Sequence, residues 1–236
     1  MSSPSSSIDI SNSSDPTSNG GAFVVSTHVI SPSKNKSTID TSSTHFRAAV
    51  QGAKIMLENL NTCVGGVIDL ESEDMRDTAK RHVKALLEML AGHLMNVDMT
   101  TFARADTQED NLVFVGAMPF KSLCKHHLLP FYGTAYIAYV PKDKILGLSK
   151  FARVVKKYAT RFQVQEDLTS QICDDINTVL EPHGVGVIME GRHTCMLCRG
   201  AESPGVTITQ DLKGVLKTNE ILRKEFMDHV KFSRHV

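Results

Sequence analysis

Hydrophobic positions first recur at a helical spacing after about residue 44. One predicted helix has its apolar positions at Phe46, Val50, Ile55, Met56 and Leu60. A second, longer helix is predicted from the apolar positions Met75, Ala79, Val83, Leu87, Leu90 and Leu94. Its start is acidic, with Glu71, Glu73 and Asp74, which suits the positive end of a helix dipole.

Further along the chain, runs of β-branched and aromatic residues alternate with three amphipathic stretches. Strands are predicted over residues 112–119, 131–140, 185–190 and 205–210. Helices are predicted over 148–161, 165–180 and 219–230, because apolar residues recur there every three or four positions. The pattern indicates an α+β fold in which two helices come first and strands then flank a central helix pair.

The first 44 residues have a different composition, since 20 of them are Ser or Thr. Such a segment buries too little apolar surface to offset its ordering entropy, so residues 1–44 are predicted to be a disordered tail. A transit peptide is the alternative, but Asp9, Asp15 and Asp40 and the lack of Arg before Arg47 argue against it. The remainder, 45–236, is predicted to be one folded domain, with helices over 45–100 and the fold's core over 101–236.

Charge and cysteine content narrow the class of protein. The 26 basic and 26 acidic residues create no bulk field for nucleic acid or an anionic membrane, so neither is an expected partner. No apolar run approaches the roughly 20 residues that span a bilayer. Five cysteines, an odd number with no secretory signal before them, favour a reducing cytoplasm and metal binding or burial as their roles.

Two short stretches combine thiols with imidazoles: "SLCKHHLLP" over 122–130 and "GRHTCMLCRG" over 191–200. Cys124-x2-His127 and Cys195-x2-Cys198 together could form a closed structural zinc site with four ligands. The alternative is an open site with three protein ligands and a free position. The extra imidazoles of His126 and His193, and the cation of Arg199 at the rim, favour the open site, where histidines transfer protons.

Four linked motifs resemble those of the GTP cyclohydrolase I family: "SLCKHHLLPFYG", "AYVPKDKILGLSK", "RFQVQEDLTSQI" and "HTCMLCRG". The resemblance runs from about Met75 to Phe226, in the family's order. It implies Zn²⁺ as cofactor, with the ligands on Cys124, His127 and Cys195. Cys198 falls on a variable position, and it is expected, like Cys63 and Cys173, to be a small buried hydrophobe.

The same resemblance assigns the remaining functional residues. His126, His193 and Ser149 would be catalytic, the histidines in proton transfer and the serine in the ribose steps. Glu166 would select guanine by accepting hydrogen bonds from its N1–H and 2-amino group, which adenine cannot offer. The other expected GTP-binding residues are Gln165, Lys150, Arg153, Arg199, Arg81 and Lys84, of which the cations would hold the triphosphate.

The implied reaction is hydrolysis of GTP at C8, release of formate and rearrangement to 7,8-dihydroneopterin triphosphate, the first step of folate or tetrahydrobiopterin biosynthesis. The implied fold is the tunnelling fold, antiparallel strands with two packed helices. Subunits of that family close into a pentameric barrel, and two rings stack as a homodecamer. With the cysteine content described above, a cytoplasmic enzyme is expected.

Several positions depart from the family pattern. Lys125 stands where the family has Glu, Ala79 replaces a usual Pro, and "FVGAMPF" and "SPGVTIT" replace more typical runs. If Lys125 points away from the ion, activity should survive; if it points inward, it would disfavour zinc. Two alternatives therefore stay open: a catalytically altered paralogue that binds a pterin or nucleotide, and a zinc-stapled interaction module built on Cys195-x2-Cys198.

Overall fold

The computed structural model describes residues 39–104 and 111–234. The predicted disordered tail lies almost entirely outside the described residues, and its disorder stays a prediction. The predicted boundary falls close to the first helix, which begins at Thr44.

Two helices precede the sheet. Helix α1 spans Thr44–Cys63, and its first turn is capped by the Ser43 hydroxyl, which accepts a hydrogen bond from the Phe46 amide at 3.1 Å. Helix α2 spans Thr78–Met89 and is followed by a 3₁₀ turn over Ala91–Leu94. The predicted helix was thus too long at both ends. The Gly92 amide donates to the Thr160 carbonyl at 2.9 Å, so tertiary docking replaces the last α-helical turn.

The main sheet has five strands in the order β5-β2-β3-β6-β7. Neighbours are antiparallel except β5, which lies parallel to β2. The strands are β2 (Val113–Cys124), β3 (Pro130–Val140), β5 (Phe162–Gln163), β6 (Gly184–His193) and β7 (Thr207–Gly214). A separate antiparallel pair joins β1 (Thr101–Ala103) to β4 (Lys144–Leu146).

Helices cover both faces of this sheet. Side chains of α3 (Leu148–Ala159) and α4 (Gln165–Leu180) pack with Ala135, Ile137 and Tyr139 of β3 in the larger core. The alternate β3 positions, Tyr136 and Ala138, pack with α6 (Val215–Thr218) and α7 (Glu220–Ser233). Successive strand residues point to opposite faces, which explains why β3 is buried continuously from Ala135 to Val140.

The α+β prediction is confirmed, and α4 has the predicted bounds. The strands β1, β4 and β5 were missed, because two or three residues carry too little periodicity to be recognised. Strand β2 continues five residues past its predicted end at Pro119. Among the described strands, β2 has a neighbour at Pro119 on one side only, β3, so the missing N–H is tolerated there.

All five cysteines lie in the described ranges and none is in a disulfide. Cys173 is buried as expected, and burial raises the pKa of its thiol to about 12. The same expectation is wrong for Cys63 and Cys198, which are exposed. Among residues 39–104 and 111–234, no helix is long and apolar enough to cross a membrane.

The close pairing of β3 with β6 predicts that replacing Gly133 by alanine destabilises the fold more than the same replacement at Gly52. A methyl group at Gly133 would overlap the backbone carbonyl oxygen of Glu190, whereas one at Gly52 on α1 would meet open space. We expect Gly133→Ala to cost about 1–3 kcal/mol of unfolding free energy, because backbone atoms of a central strand cannot move aside. Gly52→Ala should be neutral or stabilise α1 by up to about 1 kcal/mol. Urea denaturation of both variants checks this, and equal midpoints would contradict the described register.

Candidate metal centre and active site

The first cluster lies in the turn that joins β2 to β3. The turn is closed at both ends, since the Leu128 amide donates to the Cys124 carbonyl and the Cys124 amide donates to the Leu129 carbonyl, each at 2.9 Å. Leu128 has a left-handed backbone conformation, with φ of 54°. This tight geometry brings the Cys124 sulfur to 3.9 Å from Nδ1 of His127. A thiol and an imidazole are therefore presented side by side.

The second cluster follows the end of β6. Strand β6 pairs with β3 so that His193 lies opposite Phe131. The short helix α5 (Thr194–Leu197) then begins at once, and the Thr194 hydroxyl donates to the Pro130 carbonyl at 2.6 Å. That contact holds the start of α5 against the first turn, so Cys195 reaches the first cluster.

Cys124, His127 and Cys195 form one group whose ligand atoms all lie within 4.8 Å of one another. Burial raises the pKa of the Cys195 thiol, and the neighbouring Cys124 raises it further. Two crowded thiols become favourable as thiolates when a cation lies between them. Two sulfurs and one imidazole nitrogen are donors typical of a zinc site, so the residues fit this metal.

Among the described residues, Cys198 does not belong to this three-donor group. It caps the C-terminus of α5, where its amide donates to the Thr194 carbonyl at 2.9 Å, and it is exposed to solvent. The three-donor arrangement supports the open site over the closed four-ligand site.

His193 is the last residue of β6, two residues before the candidate ligand Cys195. Its ring stacks on Phe131 at 4.5 Å between centroids and 5° between planes. Burial lowers the pKa of His193, which favours the neutral imidazole, and the charge of Glu166 opposes part of this shift. His126 is exposed, and its ring lies 6.2 Å from that of His127 in an edge-on arrangement.

The expected substrate-binding residues divide between α4 and other elements. Glu166 is exposed in the first turn of α4, next to His193. Gln165 is buried, and its side-chain oxygen contacts Nε2 of His193 at 2.9 Å. This contact was not foreseen, since Gln165 was expected to bind substrate; that role stays a prediction.

The expected phosphate-binding cations lie on three separate elements. Ser149, Lys150 and Arg153 occupy the first two turns of α3, and the ammonium of Lys150 forms an ion pair with Asp98 at 2.9 Å. Arg199 is exposed after α5. On α2, Arg81 donates to the Asp74 carbonyl and the Thr78 hydroxyl, and Lys84 is exposed. Their convergence on one ligand stays a prediction.

Lys125 points toward α4. Its ammonium forms an ion pair with Asp167 at 2.9 Å, and both side chains are about half exposed. An exposed pair of this kind is worth about 0–1 kcal/mol. The sequence contained opposite charges at 125 and 167 but no signal that they meet.

The three-donor group predicts that substitutions of two neighbouring cysteines, Cys195 and Cys198, affect zinc binding differently. We expect Cys195→Ser to lose bound zinc, because it removes one of three donors. Cys198→Ser is the matched control and should keep the wild-type metal content, because its sulfur lies outside the group. Metal analysis by mass spectrometry after gel filtration measures both. Loss of zinc from Cys198→Ser would support the closed four-ligand site instead.

Comparison with known proteins gives consistent matches. The family model for GTP cyclohydrolase I matches residues 56–231. A "GTP cyclohydrolase 1" of Synechococcus sp. (strain JA-3-3Ab) is 39% identical over 179 residues, 75% of this chain and 78% of the relative. That of Hahella chejuensis is 42% identical over 168 residues, 70% and 89% of the two chains. That of Bacillus cytotoxicus is 40% identical over 188 residues, 76% and 98%.

Among solved structures, the apo form of the archaeosine synthase QueF-Like aligns with 45% of this chain and 97% of its own. The TM-score is 0.39 at 16% identity.

Proposed function

The chain belongs to the GTP cyclohydrolase I family and is a GTP cyclohydrolase, and we propose that it performs the family's full zinc-dependent reaction. That reaction hydrolyses GTP at C8, releases formate and rearranges the remainder to 7,8-dihydroneopterin triphosphate, the first step of folate or tetrahydrobiopterin synthesis. The observation that carries the proposal is the three-donor group of Cys124, His127 and Cys195, with the imidazole of His193 two residues before Cys195 in the chain.

The metal would be held by Cys124, His127 and Cys195. When bound, Zn²⁺ lowers the pKa of water, which makes hydroxide available near neutral pH for attack on a poor electrophile such as C8. Among the described residues, Cys198 lies outside the group, which leaves three protein donors, the ligand number of a catalytic rather than a structural zinc site.

Proton transfer is proposed for His193 and His126. Burial favours the neutral imidazole of His193, and a neutral ring has a lone pair that can take up a proton and pass it to a purine nitrogen. His126 is exposed beside the ligand His127, so its ring is accessible to solvent and to a bound substrate. Ser149 at the start of α3 would act in the ribose steps.

Substrate recognition is proposed for the exposed first turn of α4 and for the cations. Glu166 would accept hydrogen bonds from the guanine N1–H and 2-amino group. Adenine lacks these donors, so the carboxylate would stay unpaired and ATP would be disfavoured. Lys150, Arg153, Arg199, Arg81 and Lys84 would neutralise the triphosphate. Lys150 is already oriented by Asp98, so GTP would have to share or replace that ion pair.

The direct test is conversion of GTP by the purified, zinc-loaded protein. We expect formate and, after oxidation, a fluorescent pterin, with ATP unreactive. Cys195→Ser should be inactive, whereas Cys198→Ser should retain activity because it keeps all three donors. A protein that binds zinc and GTP but releases no formate would contradict the proposal and favour the pterin- or nucleotide-binding paralogue.

A substitution of Lys125 provides a second test that distinguishes the zinc-dependent cyclohydrolase from the pterin- or nucleotide-binding paralogue. Because its ammonium is paired with Asp167, we expect Lys125→Glu to change kcat/KM by less than about 10-fold, the scale of an exposed ion pair. Lys142→Glu is a control, since Lys142 makes a similar exposed pair with Asp143. An inactive wild type that gains activity as Lys125→Glu would instead support the altered paralogue.

The assembly is proposed to be a decamer of two pentameric rings in the cytoplasm. The sheet ends in β7, whose outer edge has no neighbour within the described part of the chain and whose Ile208 is exposed. Pairing such edges between subunits would remove exposed strand edges. Light scattering should give ten chain masses; a monomer that converts GTP would contradict the ring assembly.

A further inference from the structure

The side chain of Gln165 is held in one orientation by its surroundings. It is 1% exposed, and its amide nitrogen lies 3.1 Å from the Met189 carbonyl and 2.9 Å from the Thr207 carbonyl. The Thr209 hydroxyl lies at 3.2 Å from the same nitrogen. Backbone carbonyls only accept hydrogen bonds, so the NH₂ group must face β6 and β7. The side-chain oxygen therefore faces the other way, toward His193.

This orientation determines which nitrogen of His193 is protonated. The Gln165 oxygen is an acceptor and lies 2.9 Å from Nε2 of His193, so Nε2 must carry a hydrogen. In the neutral ring the other nitrogen, Nδ1, is then unprotonated. A ring stacked on Phe131 cannot rotate freely to exchange the two atoms.

We propose that Gln165 is a positioning residue that fixes His193 as the Nε2–H tautomer and leaves Nδ1 as the atom that exchanges a proton with the substrate. The inference rests on the proposed function of His193 in proton transfer. It assigns the Gln165 side chain to the enzyme's own histidine, in place of the direct contact with GTP that the family resemblance implies.

The surrounding residues are arranged to keep this contact. A methyl group at Gly191 would overlap the side-chain oxygen of Gln165, so β6 has a residue without a side chain where the amide approaches. Thr169 donates to the Gln165 carbonyl at 2.7 Å and contacts the Thr209 hydroxyl at 2.6 Å. Both the backbone and the amide of Gln165 are thus tied to the ends of β6 and β7 and to α4.

The experiment compares wild type with Gln165→Met, Gln165→Glu and Gln171→Met. Gln165→Met keeps the approximate volume and removes the acceptor. Gln165→Glu keeps an oxygen toward His193 and, when protonated, can still donate to one carbonyl. Gln171→Met is the matched control on the same helix, because the Gln171 oxygen accepts from Gln163 at 2.9 Å rather than from a histidine.

The first measurement is solid-state NMR of zinc-loaded, ¹⁵N-histidine-labelled protein without GTP, with the His193 signals assigned by their loss in His193→Asn. We expect protonated Nε2 and unprotonated Nδ1 in wild type, Gln165→Glu and Gln171→Met, and a mixture of tautomers in Gln165→Met. The Nδ1–H tautomer in wild type would overturn the proposal even if no variant folds. So would a single Nε2–H tautomer in Gln165→Met.

The second measurement is steady-state kinetics with GTP. Because Gln165→Met loses the contact that positions His193, its kcat should fall by about 10- to 100-fold while its KM stays within about twofold of wild type. A fall of about this size is typical when proton transfer is misplaced or when an active-site imidazole loses its supporting hydrogen bond. The kcat of Gln165→Glu should lie between those of wild type and Gln165→Met. A rise in KM at unchanged kcat would show substrate binding and overturn the proposal. If wild type converts no GTP but shows the expected tautomers, the proposed function fails while the positioning contact stands.

Discussion

The hydrogen-bond register of β3 between β2 and β6 decides whether the functional residues meet. Phe131 is paired with Ser122 on one side and with His193 on the other. Cys124 and Cys195 each lie two residues beyond those partners, so they arrive at the same end of the sheet. A slip of one residue in either pairing would turn every side chain of that strand to the opposite face. The metal group therefore exists only because three strands keep this register.

Packing of α4 then orients the residues around that group. Leu168, Ile172, Ile176 and Leu180 form a fully buried stripe at a spacing of four residues, which fixes the rotation of the helix about its axis. Each such burial contributes about 1.5–3 kcal/mol. Gln165 lies three residues before Leu168, on the same face, so its amide is buried beside His193. Glu166 is turned about 100° away and faces solvent. Core packing thus separates a positioning residue from a candidate substrate contact.

The sequence predicted those parts of the molecule whose signal is periodic or concentrated in a motif. The apolar stripe of α4 gave its bounds, and the resemblance of the Cys/His motifs to the family's motifs gave the three donors that the structure brings together, which the spacing alone left open. Contacts between residues that are far apart in the sequence had no periodic pattern or motif from which they could be predicted. Gln165 and His193 are far apart in sequence, and nothing in either motif shows that one accepts a hydrogen bond from the other. The exposure of Cys198 was also missed, because a thiol at a variable position has no pattern that distinguishes burial from a helix cap.

The charge reversal at position 125 is compatible with the same chemistry because the chain neutralises it locally. Asp167 lies in the first turn of α4, where the helix dipole favours an acid, and its carboxylate pairs with the Lys125 ammonium. The backbone amide of Lys125 also donates to the Gln163 carbonyl at 3.0 Å, which fixes the turn independently of the side chain. The donors of the metal group are set by this backbone and by β3. A lysine directed onto α4 therefore changes the charge distribution at the rim of the site without changing which atoms can hold the ion.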